Sequence, residues 1–208
     1  MLPETESAPA VTLPRIVLAS TSAYRRELLG RLQLPFDVAR PEVDETVIAG
    51  EDAQATALRL AIAKARAIGG GSPNALVIGS DQVAALGDMQ IGKPGTHDRA
   101  LDQLRAMRGR NVLFHTAVAL HDTRDDSIRS AIVTTAVRFR DLSDAELDAY
   151  LRIEQPYDCA GSAKSEGLGV TLIERMTSDD PTALIGLPLI TVVGMLREAG
   201  YPLFGATA

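Results

Sequence analysis

Five short stretches of this chain combine residue types that handle phosphate and metal. Leu18-Ala-Ser-Thr-Ser-Ala-Tyr-Arg-Arg26 sets three hydroxyls, Ser20, Thr21 and Ser22, between an apolar run and two arginines. Thr21 and Ser22 are good helix N-cap types, so Arg25 and Arg26 fall in a first helical turn. Cations there oppose the helix dipole, which favours anions at that end. A phosphate among the free N–H groups, hydroxyls and guanidinium groups would resolve the conflict. A capped helix with two solvated arginines is the plainer alternative.

Val77-Ile-Gly-Ser-Asp-Gln82 predicts a carboxylate, Asp81, where a buried strand ends. That is the edge at which open α/β sheets bind ligands, although an Asp there can also be a simple turn former. The acidic loop Pro41–Thr46 contains Glu45. Asp81 and Glu45 together would be a hard oxygen site for Mg²⁺, the natural companion of a polyphosphate. Ile91-Gly-Lys-Pro94 holds Lys93 between Gly and Pro, a restricted backbone that suits an aimed charge. Cys159–Gly169 carries Lys164 and Glu166 among glycines that let the backbone approach a flat ligand.

The elements that must position these residues alternate in type. Buried strands are expected at Arg15–Ser20 and Ala75–Gly79, a further strand at Phe36–Ala39, and a hairpin about Gly87-Asp88. Two longer strands follow at Val112–Leu120 and Ile128–Phe139, and another at Val170–Glu174. Helices are predicted from Ser22 to about Leu32, from Asp52 to Ile68, after Thr96, from the Ser143–Glu146 capping box, and after Pro188. In the second of these, Leu58, Ala61, Ile62 and Ala65 form the apolar stripe and Lys64 lies on its flank. The class is α/β.

Composition narrows the field. The chain has 208 residues, 46% hydrophobic and 23% charged, as in an ordinary globular protein with room for a sizeable core. A net charge of −6 disfavours a partner that is a nucleic acid polymer. Among 21 basic residues only Lys64, Lys93 and Lys164 are lysines; Lys is a compact point charge that Arg replaces poorly at phosphates. One cysteine excludes an intrachain disulfide, and one Cys with three scattered His excludes the usual structural zinc site. No apolar run approaches the ~18–20 residues that span a bilayer, so no membrane association is expected. Residues 1–14 lack the pattern of a signal peptide. They read as a flexible leader before one domain over residues 15–208, and a cytoplasmic location is expected. Walker, dinucleotide and Gly-x-Ser-x-Gly patterns are all missing.

Taken in order, these motifs resemble the Maf family of nucleoside triphosphate pyrophosphatases. The family's Leu-Ala-Ser turn with paired arginines matches Leu18–Arg26, and its Val-Asp-Glu loop matches Val43–Glu45. Its Gly-(Ser/Ala)-Asp, Gly-Lys-Pro and Gly-Leu-Pro match Gly79–Asp81, Gly92–Pro94 and Gly186–Pro188. Gln82, in place of Thr, and Cys-Ala-Gly-Ser-Ala-Lys-Ser-Glu-Gly at 159–167 look most like the branch that acts on 7-methyl-GTP, not the dTTP/UTP branch. Ala23 departs from the family's usual Pro.

The resemblance implies an α/β fold with a mixed twisted sheet flanked by helices and two lobes around a central cleft. It implies hydrolysis of the α–β phosphoanhydride, with a divalent cation (Mg²⁺ or Mn²⁺) as cofactor and a homodimer as a common assembly. Asp81 is then the general base, near the metal, and Glu45 holds the cation. Ser20, Arg25, Arg26, Lys64, Lys93 and Lys164 contact the substrate, and Tyr24, Gln82 and Glu166 select the base. The contrasting expectations are a pyrophosphatase for other canonical or modified nucleotides (the dTTP/UTP type) and, from the family's older septum-formation label, a non-catalytic nucleotide-binding regulator of cell division. Methylation at N7 leaves a positive charge on the purine, which an aromatic face or a carboxylate can attract.

Overall fold

The computed structural model describes residues 12–204. Most of the expected leader, residues 1–11, lies outside the described residues, as do residues 205–208. Apolar, β-branched runs form the strands β1 (Arg15–Ala19), β2 (Phe36–Ala39), β3 (Ala75–Leu86), β4 (Met89–Ile91), β5 (Asn111–Asp122), β6 (Ser127–Phe139) and β7 (Ile173–Thr177). They make one seven-stranded mixed sheet in the order β2-β1-β3-β5-β6-β7, with β4 paired to β3. β1 runs parallel to both β2 and β3, and the remaining pairs are antiparallel.

Among the described residues five α-helices flank the sheet: α1 (Ala23–Gly30), α2 (Ala53–Gly69), α3 (His97–Met107), α4 (Asp144–Glu154) and α5 (Leu189–Glu198). Their starts follow local chemistry. Ser22, Asp52 and Thr96 each accept the backbone N–H three residues on, and Ser143 with Glu146 completes a reciprocal capping box. Among the described residues no helix is long and apolar enough to cross a membrane.

The 12 residues of β5 extend about 40 Å at ~3.4 Å each, long enough to serve two separate cores. One core joins β1 and the first half of β3 to α1 and α5, through Leu18, Leu29, Ile78 and Leu196. The other joins β4 and the far half of β3 to α3 and α4, through Leu86, Leu104, Phe114 and Leu151. These cores are the two lobes, and the cleft opens between them. On the opposite face α2 lies on an alanine layer of Ala57, Ala61, Ala65, Ala117 and Ala119.

Two expectations are corrected here. Asp81 does not end a strand, because β3 continues to Leu86. What ends is its parallel neighbour: β1 stops at Ala19, opposite Gly79, while β5 pairs with β3 throughout. Asp81 therefore still lies just past a sheet edge. The strand expected at 170–174 begins at Ile173 instead. Leu168–Leu172 closes in a 3₁₀ turn, with Gly167 and Gly169 both donating to the Lys164 carbonyl.

Candidate active site

Gly79 sets the depth of the site. A Cβ there would collide with the main chain of Ala61 and Ala65, so only glycine lets α2 settle this closely on β3. The close approach rotates the buried face of α2 to Ala57, Leu60, Ala61, Lys64 and Ala65. Lys64 is thus at the centre of that face, not on its flank, and is only 6% exposed. Its Nζ lies 2.6 Å from Asp81 Oδ1 and 2.6 Å from Glu45 Oε1. A buried ammonium has to be paired, and here two carboxylates share it. The Lys64 hydrogen bond holds Glu45 below the usual carboxylate range, and the charges of Lys93 and Arg25 add to the effect.

A cleft of about 780 Å³ opens over this cluster, within the range of nucleotide-sized ligand sites. One end is cationic and hydroxylic. Ser20, Thr21, Ser22 and Arg25 line it from the β1–α1 turn, Glu45 from the loop after β2, Lys64 from α2 and Lys93 from the loop after β4. Ser20 Oγ accepts from the Ser22 amide at 3.1 Å, which leaves its own proton to donate. Arg25 Nε donates to the Gly186 carbonyl at 2.8 Å, and the same oxygen faces Ser80 Oγ at 2.9 Å. Gly186 holds that carbonyl with φ at +118°, and a Cβ there would sit 3.4 Å from Arg25 Nε. Burial pulls the Arg25 pKa down while Asp81 and Glu45 push it back up; a guanidinium stays charged from so high an ordinary value.

The other end is built from Tyr24, Gln82, Phe114, Asp158, Cys159, Glu166, Leu184 and Ile185. Gln82 Nε2 donates to Thr116 Oγ1 at 2.8 Å, the Leu184 carbonyl at 3.0 Å and the Ala183 carbonyl at 3.1 Å. Glu166 and Asp158 are exposed.

Lys164 does not line the cleft. Its Nζ pairs with Glu154 at 3.1 Å and lies 5.3 Å from the centre of the Tyr24 ring. Both partners, Tyr24 first, raise its pKa. One face of Tyr24 is therefore already occupied by a cation of the opposite lobe. Arg26 is also outside the cleft lining and exposed, because one residue turns a helix by about 100°.

The structure brings Ser20, Tyr24, Arg25, Glu45, Lys64, Gln82, Lys93 and Glu166 to one cleft, with Asp81 directly behind Lys64. It adds Arg40 and Asp158, which the motifs had not singled out. Arg40 could have been read from its place right after the apolar run 36–39, at the same sheet edge as Ser20. Asp158 precedes the Cys159 motif by a single residue and offered no separate signal.

Among the described residues no three His, Cys, Asp or Glu converge as a metal cage. Glu45 and Asp81 nonetheless each keep one oxygen that is not engaged with Lys64. One or two carboxylates completed by phosphate oxygens is the usual Mg²⁺ arrangement, so these residues fit a divalent cation.

Comparison with known proteins gives the family. Residues 15–199 match the family described as Maf-like protein. A relative from Cupriavidus metallidurans, 64% identical over 94% of this chain and 98% of its own length, is named 7-methyl-GTP pyrophosphatase. Relatives from Burkholderia thailandensis (63% identical, 96% of this chain and 94% of theirs) and Paraburkholderia xenovorans (62%, 93% and 96%) carry the same name.

Proposed function

This chain belongs to the Maf-like protein family, and from that we propose that it is a hydrolase that cleaves 7-methyl-GTP to 7-methyl-GMP and pyrophosphate. The relatives' shared name supports the reaction. The observation that carries it in this chain is Lys64 Nζ, held 2.6 Å from both Asp81 and Glu45 at the cleft floor.

Attack of water on the α-phosphorus needs a proton acceptor, a fixed line of approach and neutralisation of a polyanion. The free oxygen of Asp81 takes the proton from water. Lys64 holds Asp81 and Glu45 in place, so that neither carboxylate turns to meet the incoming phosphates. Arg25, pinned through Nε, offers its remaining N–H groups to phosphate oxygens, and Lys93 and the Ser20 hydroxyl add to them. Glu45 and Asp81 would hold a divalent cation, which when bound neutralises triphosphate charge and polarises the α-phosphate. The apolar and acidic end receives the purine. Glu166 favours the positive charge that N7 methylation confers. Tyr24 offers only the ring face that Lys164 leaves open. A cytoplasmic location follows from a substrate of the nucleotide pool.

Pyrophosphate release from a nucleotide panel tests this reading. 7-methyl-GTP should be hydrolysed faster than GTP, dTTP, UTP and ATP, with activity lost in excess chelator and restored by Mg²⁺ or Mn²⁺. A preference for dTTP or UTP would overturn the substrate, and no release from any nucleotide would overturn the reaction.

A further inference from the structure

We propose that Thr116, together with the turn Ala183–Gly186, positions Gln82 so that it meets the base with a hydrogen-bond acceptor only. The cleft would thereby read the N–H donors of a guanine-type edge and reject adenine. The inference rests on the proposed nucleotide reaction and on Gln82 at the base end, and adds what holds Gln82 and which hydrogen-bonding group it can present.

Hydrogen counting carries the argument. Thr116 is fully buried on β5, directly opposite Gln82 in the β3–β5 register. Its hydroxyl has one proton, and that proton goes to the Ala183 carbonyl at 2.9 Å. Toward Gln82 the Thr116 oxygen can then only accept, so the amide atom 2.8 Å away has to be the nitrogen. The carbonyls of Ala183 and Leu184 impose the same polarity. A flipped amide would set Oε1 against two carbonyl oxygens. With Nε2 committed to the wall, Oε1 has no partner among the described residues, and Gln82 lines the cleft.

An acceptor at that point suits guanine, whose N1–H and exocyclic amine both donate. Adenine presents a ring nitrogen acceptor at N1, so two lone pairs would face each other. A group left unpaired in this way costs about 1–3 kcal/mol, or roughly ten- to a hundredfold. Gly186-Leu187-Pro188, a motif with no role assigned from the sequence, thereby gains one: the turn it closes holds Gln82 through two carbonyls and Arg25 through a third.

The test uses the whole chain and measures pyrophosphate release. Wild type should prefer GTP to ATP by about ten- to a hundredfold in kcat/KM. 1-methyl-GTP, with a methyl in place of the N1 proton, should fall toward ATP. Thr116→Val removes the nearest of the three acceptors around the Gln82 amide nitrogen, and the amide is held less firmly by the two carbonyls that remain. The GTP-to-ATP ratio should narrow by about tenfold, carried by KM. Turnover of GTP should stay within about twofold, since Asp81 and Lys64 act on the other face of β3. Thr116→Ser keeps the hydroxyl and should keep the ratio, which a purely structural role of the methyl group would not. An unchanged ratio in active Thr116→Val overturns the proposal, as does wild type that hydrolyses ATP or 1-methyl-GTP as fast as GTP. The wild-type arm decides the matter even if Thr116→Val does not fold. No release from any nucleotide overturns the reaction itself, and this inference with it.

Discussion

At the phosphate end of the cleft, most of the charged groups are held inside regular structure. Asp81 is within β3, Lys64 is buried in α2, and Arg25 is pinned from the first turn of α1 to the Gly186 carbonyl. At the base end, Asp158, Cys159 and Glu166 sit in short turns between α4 and β7, and both carboxylates are exposed. Reaction at phosphorus tolerates little displacement, and groups on strands and helices move least. Choice of base is a matter of shape and charge, which loops carry and can change without disturbing the core. Gln82 crosses the divide: it lines the base end but is fixed on the same strand as Asp81, just as Tyr24 shares α1 with Arg25.

The strongest way to break this comparison is at the rigid end. Asp81→Asn keeps the shape of the side chain, removes the proton acceptor and leaves Lys64 facing Glu45 alone. Turnover of 7-methyl-GTP should fall by about 10²–10⁴-fold, with an unchanged circular dichroism spectrum. Near-normal turnover in the folded variant would remove Asp81 from the reaction and with it the catalytic meaning of the buried cluster.

A smaller effect is expected at the base end. 7-methyl-GTP and GTP differ by one methyl and one positive charge. One carbon in a pocket is worth about 1–3 kcal/mol, and an unpaired carboxylate adds a preference for the charge. Glu166→Gln should narrow the ratio of kcat/KM between the two substrates by about tenfold and leave the GTP rate nearly unchanged. Equal losses on both substrates would place Glu166 among the groups that hold the fold or the phosphates.

The sequence carried the helix caps, most strand positions and nearly all of the cleft residues, because each is a matter of local residue type. It missed what depends on depth. Leu58 and Ile62 suggested a stripe that left Lys64 on the flank. The true face follows the small residues that let α2 sit on Gly79, and packing distance overrides hydrophobicity there. The local sequence puts Asp81 at a strand end because nothing in it shows that β1 stops while β3 runs on. The motif at 159–167 suggests Lys164 as a substrate ligand, yet it pairs with Glu154 and faces Tyr24, partners 10 and 140 positions away. Thr116 reads as one more residue of a β-strand until its single proton is followed to Ala183.

The smallest expected effect sharpens the electrostatic side of the comparison. Burial first, and then the nearby carboxylate of Asp158, push the Cys159 thiol from 9.0 up to about 12, with Glu166 adding to the effect. The folded protein therefore favours the neutral thiol. The effect on stability should be level below pH 9, where both states hold the proton. It should turn destabilising between about 9 and 12, where the unfolded chain releases a proton that the folded chain retains. At pH 8 iodoacetamide, which needs the thiolate, should modify the folded chain at least about tenfold more slowly than the urea-unfolded chain. Asp158→Asn should speed the folded reaction, because it removes negative charge that opposes thiolate formation. Glu166→Gln should do so less, being the weaker influence on Cys159. Equal rates in the folded and unfolded chains would mean that the thiol is neither buried nor surrounded by unpaired negative charge. The acidic character assigned to the base end would then fail at its centre.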